Sequence, residues 1–143
     1  LADSLSTHRL MDFHAQYKFV LMSHDQNRAR ALGRRLAEAS GEPVGETAEW
    51  YFAELMAIMK VRATRKNHVN VLQHLQGFLK NEIDSEDKQE LAETIDKYRM
   101  QLLPLIVPIT LLRHHFRRHP HEFIERTKYL DPHPAELMLL NTL

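Results

Sequence analysis

The chain has 143 residues, 43% hydrophobic and 27% charged, and its 19 Lys and Arg balance 19 Asp and Glu. That length fits one domain with one core, and a net charge of zero excludes a plain polycation or an acidic disordered tail. No cysteine is present, which excludes a disulfide scaffold, a Cys-ligated zinc site, an iron–sulfur cluster held by this chain alone and a cysteine nucleophile.

No apolar run reaches the length of about 18 residues that a membrane-spanning helix needs, so no membrane partner is expected. There are only four Gly, and neither a Walker pattern nor GxGxxG occurs. The chain opens on Leu1 with no signal-peptide profile, and a cytoplasmic protein is expected.

Helical periodicity runs from end to end. A first helix is expected over residues 4–22, with Leu10, Phe13, Tyr17 and Leu21 about a turn apart. Ser23 or Asp25 should cap a second, Arg- and Ala-rich helix over 26–39. Ser40-Gly41-Glu42-Pro43 reads as a turn. A third helix over 45–60 carries Phe52, Leu55, Met56 and Met59 on its apolar side, and a fourth starts near Thr64 and ends near Asn81. Asp84-Ser85 forms a cap pair for the fifth, with Glu86 and Asp87 in the first turn where the helix dipole favours them. Leu91, Ile95, Tyr98 and Leu102 follow at 4-3-4 spacing. Residues 104–118 are the most apolar and read as the central buried helix, with Pro108 in its first turn or at a kink. A short helix should follow Pro120, then a rigid loop from Tyr129 to Pro134, then a last short helix. Strand-like alternation is absent. The expected fold is all-α: over residues 1–143, one compact bundle of about six main helices plus short C-terminal ones.

Charge is balanced in sum but segregated in sequence. Arg28, Arg30, Arg34 and Arg35 lie in a stretch without acids. So do Lys60, Arg62, Arg65, Lys66 and Lys80, and so do Lys97, Arg99, Arg113, Arg117 and Arg118. Between Glu82 and Asp96, seven acids face only Lys88. A molecule with a positive side is expected, which is the footprint of a phosphate-bearing partner.

Helical projection at about 100° per residue sorts these groups further. On the fourth helix Val71, Leu72, Leu75, Phe78 and Leu79 share a face that includes His68. The opposite face carries Lys66, Asn67, Asn70, Gln73, His74 and Lys80, and Gly77 leaves a gap there. On the sixth, Leu105, Ile109, Leu112 and Phe116 form the core stripe, opposite Thr110, Arg113, His114, Arg117 and Arg118. Guanidinium groups grip phosphate bidentately and amides read base edges, so the mixture suits a nucleic acid better than lysine alone.

His68 reads as a core histidine, and Trp50 as core or half-buried. Asn67, Asn70 and His74 form either a polar network between helices or a site. Tyr98-Arg99 is read as a helix end packed on the core, and His133 as part of the rigid loop. His115 and His119, at i,i+4 with Glu122 beyond, have metal-ligand spacing. The flanking arginines oppose a cation and HExxH is missing, so no metal site is expected. No carboxylate dyad or Ser–His–Asp order marks a catalytic centre.

Four stretches are similar to the YbgA-like domain family. They are Tyr17 to His24, TRKNHVNVLQHLQGFLK from Thr64, LPLIVPITLLRHHFRRHP from Leu103, and Tyr129-Leu130 with Pro132-His133-Pro134. The resemblance covers nearly the whole chain. It implies a domain that stands alone or sits behind a TudS-type thiouracil desulfidase domain, whose own cysteines hold an iron–sulfur cluster. The fused proteins are associated with removing sulfur from 4-thiouridine in tRNA, and this domain is taken as the RNA-binding part. The resemblance thus implies no cofactor in this chain, tRNA or other structured RNA as partner, and no catalysis by the chain itself.

The expected RNA surface comprises Arg65, Lys66, Asn70, Gln73, His74, Arg113, His114, Arg117 and Arg118, extended by Arg28, Arg34 and Arg35. Two other functions stand beside it. One is a small-anion enzyme or regulatory pocket around His74, Thr110 and His114. The other is a protein-interaction adaptor using the acidic stretch from Glu82 to Asp96.

Overall fold

A computed structural model describes residues 6–131. Most helix starts fall where a polar side chain can satisfy the first free backbone N–H groups. Ser6 caps α1 (Thr7–His24), its Oγ accepting from the Arg9 amide at 3.1 Å. One residue separates α1 from α2 (Gln26–Ala37), and Asp25 serves both. Its amide donates to the Leu21 carbonyl at 2.9 Å and closes α1, while its carboxylate accepts from the Arg28 amide at 3.0 Å and opens α2. Ser23, the other expected cap, is buried and donates to the Val20 carbonyl at 2.6 Å.

α3 (Val44–Lys60) starts at Pro43 without a side-chain cap. Thr64 caps α4 (Arg65–Gly77), and Asp84 caps α5 (Ser85–Arg99) by accepting from the Asp87 amide at 2.8 Å. α6 (Ile106–Arg118) takes Pro108 in its first turn, where the missing N–H costs no helix bond. A short α7 (Glu122–Glu125) and a 3-10 turn at Lys128–Leu130 follow. Among the described residues there is no strand, and the fold is all-α. The expected last helix and His133 lie outside the described residues.

α1 is the hub. It packs against α2, α3, α4 and the 3-10 turn, while α4 leans on α5 and α6. One apolar cluster runs from Leu10 to Leu130, with Leu21, Tyr51, Leu72, Tyr98 and Ile109 fully enclosed. Arg126 grips Asp12 with two bonds of 2.6 and 2.9 Å and ties the end of α7 back to α1.

Three local expectations are corrected. α4 stops at Gly77, because shorter bonds (Phe78 to Leu75, Leu79 to Gln76) wind the chain into turns that bury Leu79 and Ile83. Leu102 is 65% exposed, not core. α5 has already ended, and Gln101, at φ 65°, reverses the chain with Leu102 donating to the Lys97 carbonyl at 2.8 Å. On α3 the face is shifted: Leu55 packs half-buried against the core and Thr47, Tyr51 and Ile58 are buried, while Phe52, Met56 and Met59 are 39, 58 and 40% exposed. α3 packs chiefly against α1 and α2, which cover the flank that carries these buried residues.

Candidate nucleic-acid interface

α1 sets His14, Lys18 and Met22 on one line at successive turns. Across from them α2 places Ala29, Arg30, Gly33, Arg34 and Ala37. Together they line a groove of about 400 Å3 in which every charged side chain is basic. Gly33 is what admits the floor. A Cβ there would lie 3.0 Å from Nε2 of His14. That imidazole cannot easily retreat, because its Nδ1 shares a 2.9 Å hydrogen bond with the buried Tyr51 hydroxyl. Burial, then the Lys18 charge, lowers the His14 pKa, and burial raises that of Tyr51. The floor is therefore neutral at pH 7 and the positive charge sits on Lys18, Arg30 and Arg34. Among the described residues none of the three is paired with a carboxylate.

α4 adds to this side of the molecule. The His74 ring lies 5.6 Å from Phe19 and 5.9 Å from Phe78. Partial burial, then Lys18 and Arg30, lower its pKa, which puts the imidazole within electrostatic reach of two groove cations. Asn70 Nδ2 donates to Gln26 Oε1 at 3.2 Å, and Asn67 Nδ2 to the His24 carbonyl at 3.3 Å. The two asparagines thus fasten α4 to the α1–α2 corner, while His74 stays exposed.

The arginines of α2 divide by helical position. Arg30 and Arg34, four apart, line the groove. Arg28 and Arg35, seven apart, turn toward α3. Arg28 Nε and Nη2 bond Glu54 at 3.1 and 2.7 Å. Arg35 lies 3.9 Å over the Trp50 ring, whose Nε1 donates to Glu42 Oε1 at 2.8 Å. Arg65 is a structural residue: Nη1 donates to the Tyr98 carbonyl at 2.7 Å and the guanidinium lies 4.5 Å over the Tyr98 ring.

Lys66, His114, Arg117 and Arg118 are exposed, as is Arg113, whose Nη2 stands 3.7 Å from Asp131. Gln73 joins Lys80 and Lys88 in a second groove between α4 and α5. The α2 cations and the α6 cations are carried on helices with different neighbours, α2 on α1 and α3, α6 on α4 and α5. Thr110 is exposed on α6 with His114.

Sequence reasoning passed over Lys18, and set Arg30 aside in favour of Arg28 and Arg35. The signal was available in the i,i+4 spacing of Arg30 and Arg34, matched on α1 by His14, Lys18 and Met22.

His68 is the expected core histidine. Its Nδ1 lies 2.6 Å from the Tyr129 hydroxyl, and burial, then His24 and Arg65, hold its pKa down at about 4. A further constellation joins α5 to α6: one ligand atom each of Asp87, Glu90 and His115 lie within 4.8 Å of one another.

No helix among the described residues is long and apolar enough to cross a membrane. No solved structure matches the chain. It is 30% identical over 131 residues to "Uncharacterized protein YbgA" of Escherichia coli (strain K12), covering 91% of this chain and 78% of that protein. Residues 18–134 match the family described as "Protein of unknown function (DUF1722)", a span that takes in α1 from Lys18 onward and every later helix among the described residues. On that extent of agreement the chain belongs to the DUF1722 family and carries a YbgA-like domain.

Proposed function

We propose that this chain is an RNA-binding module, for tRNA or another structured RNA, that serves a desulfidase acting on thiolated uridine and is not itself the catalyst. In this reading a TudS-type domain, fused or separate, supplies the iron–sulfur cluster and the chemistry in the cytoplasm. The observation that carries the binding part is the α1–α2 groove, whose cations Lys18, Arg30 and Arg34 have no acidic neighbour in the lining. A groove with unpaired cations and a neutral floor suits a phosphate backbone, and His74 adds a ring at its α4 side.

Such binding is dominated by counterion release, so affinity should fall steeply as salt rises. The test is a fluorescence-anisotropy titration with tRNA at two salt concentrations. Wild type should bind at low salt. Arg30→Glu and Arg34→Glu should each weaken binding and reduce the salt slope by about 1, the signature of a lost phosphate contact. Arg28→Glu, whose side chain is already committed to Glu54, should weaken it less. Folded protein that does not bind tRNA at low salt ends the proposal.

An adaptor function has one observation of its own, the exposed Phe52, Met56 and Met59 on α3. Apolar groups exposed together on one face of a helix offer a surface for a protein contact. A partner complex lost in Met56→Lys but kept in Arg34→Glu would favour it.

A further inference from the structure

We propose that Asp87 and Glu90 of α5 and His115 of α6 form a site for one first-row divalent cation of the Zn2+ or Mn2+ kind. The three residues offer one atom each, two carboxylate oxygens and an imidazole nitrogen, all within 4.8 Å of one another. Asp87 and Glu90 are three apart on α5 and so share one side of it. α5 packs on α6, which brings that side against His115.

Two features distinguish this cluster from an ordinary acidic helix end. First, His115 is only 4% exposed, and its Nε2 is buried without a hydrogen-bond partner. A buried imidazole nitrogen left unpaired costs desolvation energy, and the same ring offers a nitrogen within 4.8 Å of both carboxylates. Second, two carboxylates this close repel each other. Nothing within the cluster cancels the two negative charges, and a divalent cation would.

Two of the three arginines that argue against a metal in the sequence are placed on the far side of the helix. At about 100° per residue, Arg113 and Arg117 project about 160° from His115 on α6, and Arg118 about 60°. His119 is about 40° away on the near side, and its Nδ1 lies 3.9 Å from Glu82 Oε2. On α6 the near neighbours of the cluster are thus another imidazole, which faces another acid, and Arg118.

A mixed oxygen and nitrogen donor set selects Zn2+ or Mn2+ over Ca2+ and Mg2+, which favour oxygen alone. In a tetrahedral zinc site neighbouring ligand atoms sit about 3.3 Å apart, so the side chains must draw in by at most about 1.5 Å. Exposed Glu90 has the rotamer freedom for that. Solvent or a further ligand would complete the shell. The inference does not depend on RNA binding.

The test is titration of the whole chain with Zn2+, and separately with Mn2+, by calorimetry and by competition with a chromophoric chelator. One equivalent should bind, and Asp87→Asn and Glu90→Gln should each weaken uptake about 10- to 100-fold. Glu86→Gln, on the same helix but outside the cluster, should leave it unchanged. Circular dichroism without metal should be the same for all of these. His115→Gln completes the set, and the two carboxylate variants decide the matter if it does not fold. Absence of saturable uptake overturns the proposal, as does one equivalent bound equally by wild type and by Asp87→Asn/Glu90→Gln.

Discussion

Acidification should destabilise this fold through one histidine. His68 is 1% exposed, and its pKa is held at about 4 against an ordinary 6.5. The unfolded chain takes up a proton below pH 6.5, whereas the folded chain does so only below about 4. The unfolded state therefore binds more protons between those values, and stability falls as pH drops through that window. For a shift from 6.5 to about 4, the loss between pH 7 and pH 5 is about 2 kcal/mol, and at most about 3 kcal/mol on going further down. Urea unfolding at pH 7 and pH 5 measures it, with a midpoint about 1 M lower at pH 5 for an ordinary urea dependence. His14, His74 and His115 are lowered too and add to the slope in the same direction. The decisive quantity is therefore the difference between wild type and His68→Gln, which keeps a neutral polar side chain but cannot titrate. If both lose the same stability between pH 7 and pH 5, the reasoning fails, because His68 then titrates alike in the folded and unfolded chains.

Two further outcomes test the packing. Gly33→Ala should gain about 1 kcal/mol of helix propensity but lose about 1 to 3 kcal/mol to overpacking against His14, which Tyr51 holds in place, for a net loss on the order of 1 kcal/mol. Gly77→Ala meets nothing within 4 Å and should instead stabilise by up to about 1 kcal/mol; equal thermal shifts in the two variants would show that His14 yields. On α3, Ile58→Ala should cost about 2 to 5 kcal/mol and Met56→Lys less than about 0.5 kcal/mol. Denaturant midpoints check the pair, and a large cost at Met56 would mean that the face assignment is mistaken.

What could be read from the sequence and what could not divide along physical lines. Asp84, and Asp25 as one of two choices with Ser23, were legible as caps because a carboxylate next to a helical period has a use that is local. The core stripes of α4 and α6 were legible for a similar reason: each of these helices is covered by neighbours on a broad side, so periodicity and burial agree. α3 fails because its main neighbours, α1 and α2, cover a flank other than the more apolar one. Phe52, Met56 and Met59 make the stronger apolar stripe, yet Tyr51 and Ile58 reach the core, and nothing within the segment records which flank α1 and α2 occupy. The basic runs were legible as runs, but their fates were not. Whether an arginine meets solvent, a carboxylate or a ring depends on the partner helix, as Arg34, Arg28 and Arg35 illustrate within two turns of one another.

The same dependence explains why Asp87, Glu90 and His115 escape a reading by spacing. Metal-ligand patterns are recognised when several ligands lie on one segment, as His115 and His119 do. Here the second half of the donor set comes from a helix about twenty-five residues earlier, in a stretch whose acids already have a local explanation in the cap and the helix dipole. That explanation accounts for Asp84 and Glu86 and for the position of Asp87 in the first turn. It does not account for Glu90, which lies beyond that turn, nor for a buried imidazole left without a partner. The antiparallel packing of α5 on α6 sets those two features side by side, and only their combination separates a binding geometry from a solvated helix end.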